Sequence, residues 1–368
     1  MNNKKIRAIG AAVLVVLWLG LTVFAWVKPA DEMSLSERRK LDQFPELSMQ
    51  TILDGDFMVD FEDYTLDQFP LRDTFRKLKA MFHYQVLDQS DNNGIFLHDG
   101  YAAKVEYPLN EASVKYAVDK FNAIYNRFLK PKGSQVTVSV VPDKSYYLAD
   151  ASGSLTMDYD KLFTMVQEGM PFADYVNLTD SLSLEDYYYT DTHWRQEKLL
   201  PTAALLCDAL GIPAPQEGDY TVTPTVEEFY GVYYGQAALP MEPEVLYTLR
   251  SNVLNRCKVF NHETNRSSQV YDMSKLNAND PYDIFLSGAT ALLTVENPSA
   301  QTDKELIVFR DSFGSSMIPL LTHGYKTVTI VDLRYVAGDF LDRYVDFHGQ
   351  DVLFLYSTLV LNSAFTLK

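Results

Sequence analysis

"ELIVFRDSFGSSMIPLL", residues 305–321, passes from an apolar run through three polar positions into a helical pattern. An apolar run this short and rich in Ile and Val reads as a strand buried on both faces. It ends at Phe309, Arg310-Asp311-Ser312 follow, and a helix begins near Ser315. Ser312 therefore stands at the carboxyl end of a strand, where open α/β sheets hold their ligands. It also precedes a helix N-terminus, whose free N–H groups can receive a developing oxyanion. Gly314 permits close backbone approach. The same letters also suit a plain helix start, since Ser and Asp are ordinary N-caps.

Working outward, "QVTVSVVP" (135–142), "TVTIVD" (327–332) and "VLFLY" (352–356) repeat the buried-strand pattern, and "YVNLTD" (175–180) does so more weakly. "NNGIFLHDGY" (92–101) reads as one short strand between turn signals. Helical patterns at 114–129 and 196–210, the latter stopped by Gly211 and Pro213, alternate with the strands. That alternation predicts an α/β fold with a parallel, flavodoxin-like sheet and helices on both faces. Residues 220–297 break the rhythm with β-rich, polar text and read as an insertion within the same domain. Residues 28–93 read as a helical lead-in, with Phe75, Leu78 and Phe82 at helical spacing and Pro45 and Pro70 as breaks. The main domain then spans 94–368.

Residues 8–27 carry no charge over 20 positions, enough at about 1.5 Å per residue to cross roughly 30 Å of hydrocarbon. A cleaved signal peptide is the rival reading, but its apolar region is usually only about 7–15 residues long. Trp26-Val27-Lys28 is also a poor cleavage site, so an uncleaved transmembrane anchor is favoured. Lys4, Lys5 and Arg7 put residues 1–7 in the cytoplasm and Lys28 onward outside. The expected product is a single-pass cell-membrane protein with an extracytoplasmic C-terminal domain. Its formal charge is −17, which argues against nucleic acid as a partner. Cys207 and Cys257 allow at most one disulfide, and Cys207, in an apolar helical run, reads as a buried thiol.

A second stretch, "YYYTDTHWRQEK" (187–198), sets Asp191 two residues before His193. In an extended segment, i and i+2 point to one side, so the carboxylate can hold the imidazole. The other ring nitrogen is then available to a serine. Asp-x-His also occurs in cores and at metals, but the remaining histidines are scattered and no metal-ligand spacing appears. Trp194 can wall such a site. Tyr189 and Tyr234 can stack on sugar rings or pack in the core. Arg310 and Arg334 can hold an anion or form salt bridges.

"TDTHW" and "RDSFG" together resemble the signature blocks of the SGNH-hydrolase-like polysaccharide O-acetyltransferases (AlgX/AlgJ-like). They resemble most the exported DHHW-motif family of Gram-positive bacteria, whose Asp-His-His-Trp reads Asp-Thr-His-Trp here. "ERRKLDQFPELS", "EFYGVYY" (228–234), "DPYDIFLSGATALLTVEN" (280–297) and "TIVDLRY" (329–335) are also similar to family blocks. The resemblance implies Ser312 as nucleophile, His193 as general base and Asp191 as its orienting partner. It further implies a polysaccharide acceptor, no cofactor, and a membrane-bound acyltransferase partner supplying acetyl groups. One departure stands out: Gly288-Ala289 occupies the place of an expected Gly-Asn. If that Asn donates to the oxyanion, its loss costs about 10²–10³ in rate. A carbohydrate acetyl esterase of the same fold, and a catalytically inactive polysaccharide-binding envelope protein, are the alternatives.

Overall fold

The computed structural model describes residues 3–34 and 36–368; Met1, Asn2 and Leu35 lie outside the described residues. Two residues of the expected cytoplasmic N-terminus and one of the lead-in fall there. The chain divides into two compact units, Met1–Asn92 with Ala238–Pro240, and Asn93–Ala237 with Met241–Lys368.

In the first unit, α1 (Asn3–Val27) takes in the whole uncharged run. It is long and apolar enough to cross a membrane or to serve as a signal sequence. A two-residue ladder of β1 (Met33–Ser34) and β2 (Arg39–Lys40) leads to α2 (Met49–Asp54), α3 (Asp56–Asp67) and α4 (Arg72–Gln85). Arg39 of β2 and Arg72 of α4 converge on Asp67 at 2.5 and 3.2 Å, tying both to the end of α3. Phe75, Leu78 and Phe82 share one face of α4, and that face is exposed.

The second unit opens with a hairpin, β3 (Ile95–His98) and β4 (Tyr101–Lys104). This corrects the single strand read in residues 92–101. His98 pairs with Tyr101 across Asp99-Gly100, both at positive φ, the backbone a two-residue hairpin turn needs. Next come α5 (Glu111–Ile124), β5 (Val136–Val141), α6 (Ser145–Ser152), α7 (Tyr159–Gly169), β6 (Asp174–Asn177) and α8 (Leu200–Ala209). The helix read from Gln196 starts later, at Leu200, after a 3₁₀ turn at Gln196–Lys198. Pro201 is the reason: it suits the first turn of a helix and would break an interior.

β7 (Thr221–Phe229), α9 (Val232–Ala237) and β8 (Glu244–Arg250) follow, with β7 and β8 paired as a separate antiparallel ribbon. β9 (Lys258–Asn261), β10 (Arg266–Ser268) and β11 (Leu292–Glu296) then join the main sheet. β12 (Glu305–Arg310), α10 (Gly314–Leu321), β13 (Thr327–Val331), β14 (Asp351–Ser357) and α11 (Thr358–Leu361) complete the chain. The eight-stranded sheet has the order β10-β9-β11-β13-β12-β14-β5-β6. From β13 to β6 all neighbours are parallel, while β11, β9 and β10 extend it antiparallel. Leu306 and Val308 of β12 face a core built with Leu206, Cys207, Ile318 and Leu321 of α8 and α10. Ile307 and Phe309 face the opposite core, with Val114, Phe121, Leu162 and Val166 of α5 and α7. Burial on both faces explains why these strands are continuously apolar. Cys207 and Cys257 are free, buried thiols, and burial pushes them up to about 12 and about 11.

Candidate active site

Ser312 lies two residues past β12 at the carboxyl edge of the sheet, and α10 starts two residues later. The turn between them is held by Asp311. Its Oδ1 accepts from Phe313 N at 3.0 Å, and its Oδ2 accepts from Ser357 N at the end of β14 at 2.7 Å. A Cβ on Gly314 would sit 2.8 Å from Arg310 Cβ, so the turn closes this tightly only with glycine. Phe313 N and Gly314 N already donate to Asp311. Fewer amides at this helix start are thus open to a ligand than the sequence leads one to expect.

His193 Nε2 lies 2.8 Å from Ser312 Oγ, and His193 Nδ1 lies 2.6 Å from Asp191 Oδ1. Asp191 is fully buried, His193 nearly so, and Ser312 half-buried. Asp191 and His193 do not come from an extended segment, which corrects the backbone expected for Asp-Thr-His. Residues 189–193 form a bend closed by the Tyr187–Trp194 bridge. Asp191 Oδ1 accepts from both His193 N at 3.0 Å and the His193 ring, so one carboxylate oxygen shapes the bend and holds the imidazole. Its Oδ2 accepts from Val232 N at 2.8 Å. At Gly231 a Cβ would fall 2.2 Å from Asp191 Cα, so the α9 start can lie against the bend only as glycine.

The bend is gripped from two further sides. Glu244 accepts from Tyr189 N, Thr190 N and Thr190 Oγ1 at 2.9, 2.7 and 2.6 Å. Lys144, buried just past β5, donates Nζ to the carbonyls of Tyr188 and Tyr189 at 2.8 and 3.3 Å. Its ammonium faces the ring of Tyr233, 5.1 Å from the centroid. Burial pulls Lys144 down to about 7, against the opposing pull of Glu244, Asp191 and Asp143. Tyr282 stacks flat on the His193 ring at 3.9 Å, fixing its plane.

Two expected substrate contacts are corrected by burial. Trp194 is fully buried and donates Nε1 to Phe313 O at 3.1 Å and Ser316 Oγ at 2.9 Å, clamping α10 beneath the site. Arg310 is also fully buried and donates to Gly288 O at 3.0 Å, with Asp332 at 3.8 Å. Neither reaches the surface. Arg334 pairs with Asp332 at 2.6 Å. Tyr189 is 39% exposed but stacks on Tyr101 at 4.1 Å. Tyr234, half-buried, packs against Tyr230 at 4.5 Å.

Sequence reasoning missed Tyr282, Glu244 and Gly231. For Gly231 there is a signal, a glycine inside the aromatic run "EFYGVYY". Nothing local marks the other two, because their partners are remote in sequence. Chemically, the arrangement can pass a proton from Ser312 Oγ to His193 Nε2 while Asp191 fixes the other ring nitrogen.

The fold is thus α/β, a parallel-dominated sheet sandwiched by helices, with Ser312 at its carboxyl edge. The family model described as DHHW protein matches residues 158–331. Among solved structures, the chain is similar to a DHHW family protein from Eubacterium siraeum at 18% identity and a TM-score of 0.58, covering 74% of this chain and 93% of that one. It is also similar to Bacillus cereus PatB1, solved with a sulfonyl adduct, at 18% identity and a TM-score of 0.59, covering 73% and 94%. At these identities the likeness is one of fold. No curated protein matches the chain.

Proposed function

We propose that the chain is a membrane-anchored, extracytoplasmic O-acetyltransferase of a cell-envelope or secreted polysaccharide, working through an acetyl-serine. The observation that carries this reading is the hydrogen-bonded line from Asp191 through His193 to Ser312. Ser312 Oγ attacks the carbonyl carbon of an acetyl ester as His193 Nε2 takes the hydroxyl proton. The bond from acetyl carbon to donor oxygen breaks, and the donor alcohol leaves with that proton. A sugar hydroxyl then attacks the acetyl-serine, His193 takes its proton, and the proton returns to Ser312 Oγ as the ester bond breaks. Asp191 holds the imidazole in the tautomer this requires. The Ser312 N–H is the backbone donor assigned to the oxyanion. A membrane-bound acyltransferase would present the acetyl donor, and α1 would keep the enzyme beside it.

The test is intact-mass spectrometry of the protein after incubation with an acetyl ester, with Ser312→Ala in parallel. The expected result is one acetyl adduct, absent from Ser312→Ala. A sulfonyl fluoride, chemically kin to the adduct on PatB1, should label the same hydroxyl. Absence of any adduct or ester turnover in folded protein overturns the proposal. It would favour a non-catalytic polysaccharide-binding protein, the reading that Ala289, with no side-chain donor, keeps open. Ester turnover that added oligosaccharide does not stimulate would instead indicate an esterase.

A further inference from the structure

A concavity opens on the sheet edge that carries Ser312. In register, Phe309 of β12 lies beside Val331 of β13, and Val331 lies beside Leu292 of β11. The turn after β12, the chain after β13 and the start of β11 therefore share one edge. There a cavity of ≈ 330 Å³ is lined by His262, Glu263, Tyr335, Phe340, Arg343 and Tyr344, with Leu292 at its floor. Its size falls in the range of small-molecule sites.

Three of its aromatic side chains are open to solvent, Tyr335 at 47%, Phe340 at 46% and Tyr344 at 60%. Single exposed rings are ordinary, but three around one hollow form an apolar patch that asks for a ligand. The guanidinium of Arg343 lies over the Phe340 ring at 4.4 Å. No carboxylate pairs with Arg343 among the described residues, so its donors are available. Glu263 Oε2 accepts from Ala291 N at 2.8 Å, which fixes the carboxylate and leaves its other oxygen as an acceptor. His262 Nε2 meets Thr294 Oγ1 at 2.9 Å, and burial holds its pKa below the ordinary value, so it is neutral at pH 7.

Rings that accept the C–H face of a sugar, with a guanidinium and a carboxylate of opposite sign to hold neighbouring hydroxyls, suit a pyranose. The protein's net charge of −17 disfavours a polyanion at long range. We propose that this cavity is a subsite for a neutral pyranose residue of a glycan chain that continues along the sheet edge toward Ser312. Its part in catalysis rests on the acetyl-transfer reading above. Its sugar binding does not.

Isothermal titration of the full-length protein in detergent, carrying Ser312→Ala, would use cellohexaose, chitohexaose and hexagalacturonate as probes. Saturable binding of a neutral hexasaccharide is expected, weakened roughly tenfold by Tyr335→Ala and by Tyr344→Ala. Both side chains are exposed, so thermal unfolding should confirm that the variants fold. No saturable binding of either neutral probe, binding that survives both substitutions, or preference for hexagalacturonate would overturn the proposal. The acetyl adduct at Ser312 is read separately. Its absence with sugar binding intact would strike the acyl-transfer reading alone.

Discussion

Asp191 spends both carboxylate oxygens, one on the backbone and ring of His193 and one on the amide of Val232. An amide in its place offers a single acceptor oxygen and points two N–H donors at groups that themselves donate. Asp191→Asn is therefore expected to lower acetyl transfer on the order of 10⁴-fold by favouring the wrong imidazole tautomer, measured as the rate of Ser312 acetylation. Ser316 predicts a contrasting effect. Its Oγ accepts from Trp194 Nε1 at 2.9 Å and meets Tyr282 OH at 2.8 Å, both in the buried floor of the site. Ser316→Ala should cost about 1–3 kcal/mol of stability in denaturant unfolding, because buried polar groups lose a partner. Asp191, His193 and Ser312 were legible because short motifs place them. The roles of Trp194 and Arg310 were not, because a large polar side chain in a motif reads alike whether it faces solvent or the core.

At the scale of elements, the strands of the sheet centre could be read directly, since burial on two faces writes an uninterrupted apolar run. The bend that presents His193 could not. Its shape comes from side-chain bonds to Glu244, Lys144 and Val232 on other elements, which no local periodicity records. The same bonds make the bend testable. Gly231→Ala forces a methyl group into the Asp191 backbone. It should displace the bend, with loss of Ser312 acetylation and a lowered Tm, whereas Gly218→Ala, where a Cβ meets nothing, should change neither. Lys144 supplies a pH dependence. Its unfolded value is 10.5 and its folded value about 7, so the unfolded chain binds one more proton across that window. Stability from this group rises with pH between those values, by at most about 1.4 kcal/mol per pH unit, and is flat below them. Urea unfolding of the parent and Lys144→Met between about pH 7 and 8.5, below the titration of the thiols in the unfolded chain, should show the steeper rise in the parent.

For the whole molecule, alternation of strands and helices gave the α/β class, and the charge-free N-terminal run gave α1. The antiparallel extension by β9, β10 and β11 was harder to see. β9 and β10 are short and partly exposed, so they lack the apolar signature of the centre. If α1 is an uncleaved anchor, cell fractionation should recover the full chain with membranes, and a chain lacking residues 1–27 should be released. Release of the full chain would point to cleavage instead. The paired facts that both cysteines are free and that both thiols are buried and weakly acidic reach further than packing. Thiolate is the form that oxidants and alkylating agents attack, and almost none exists at neutral pH. Once folded, the domain needs no disulfide to hold it, in oxidising or reducing surroundings alike. In the folded protein, electrophilic probes aimed at the serine would meet no competing thiolate.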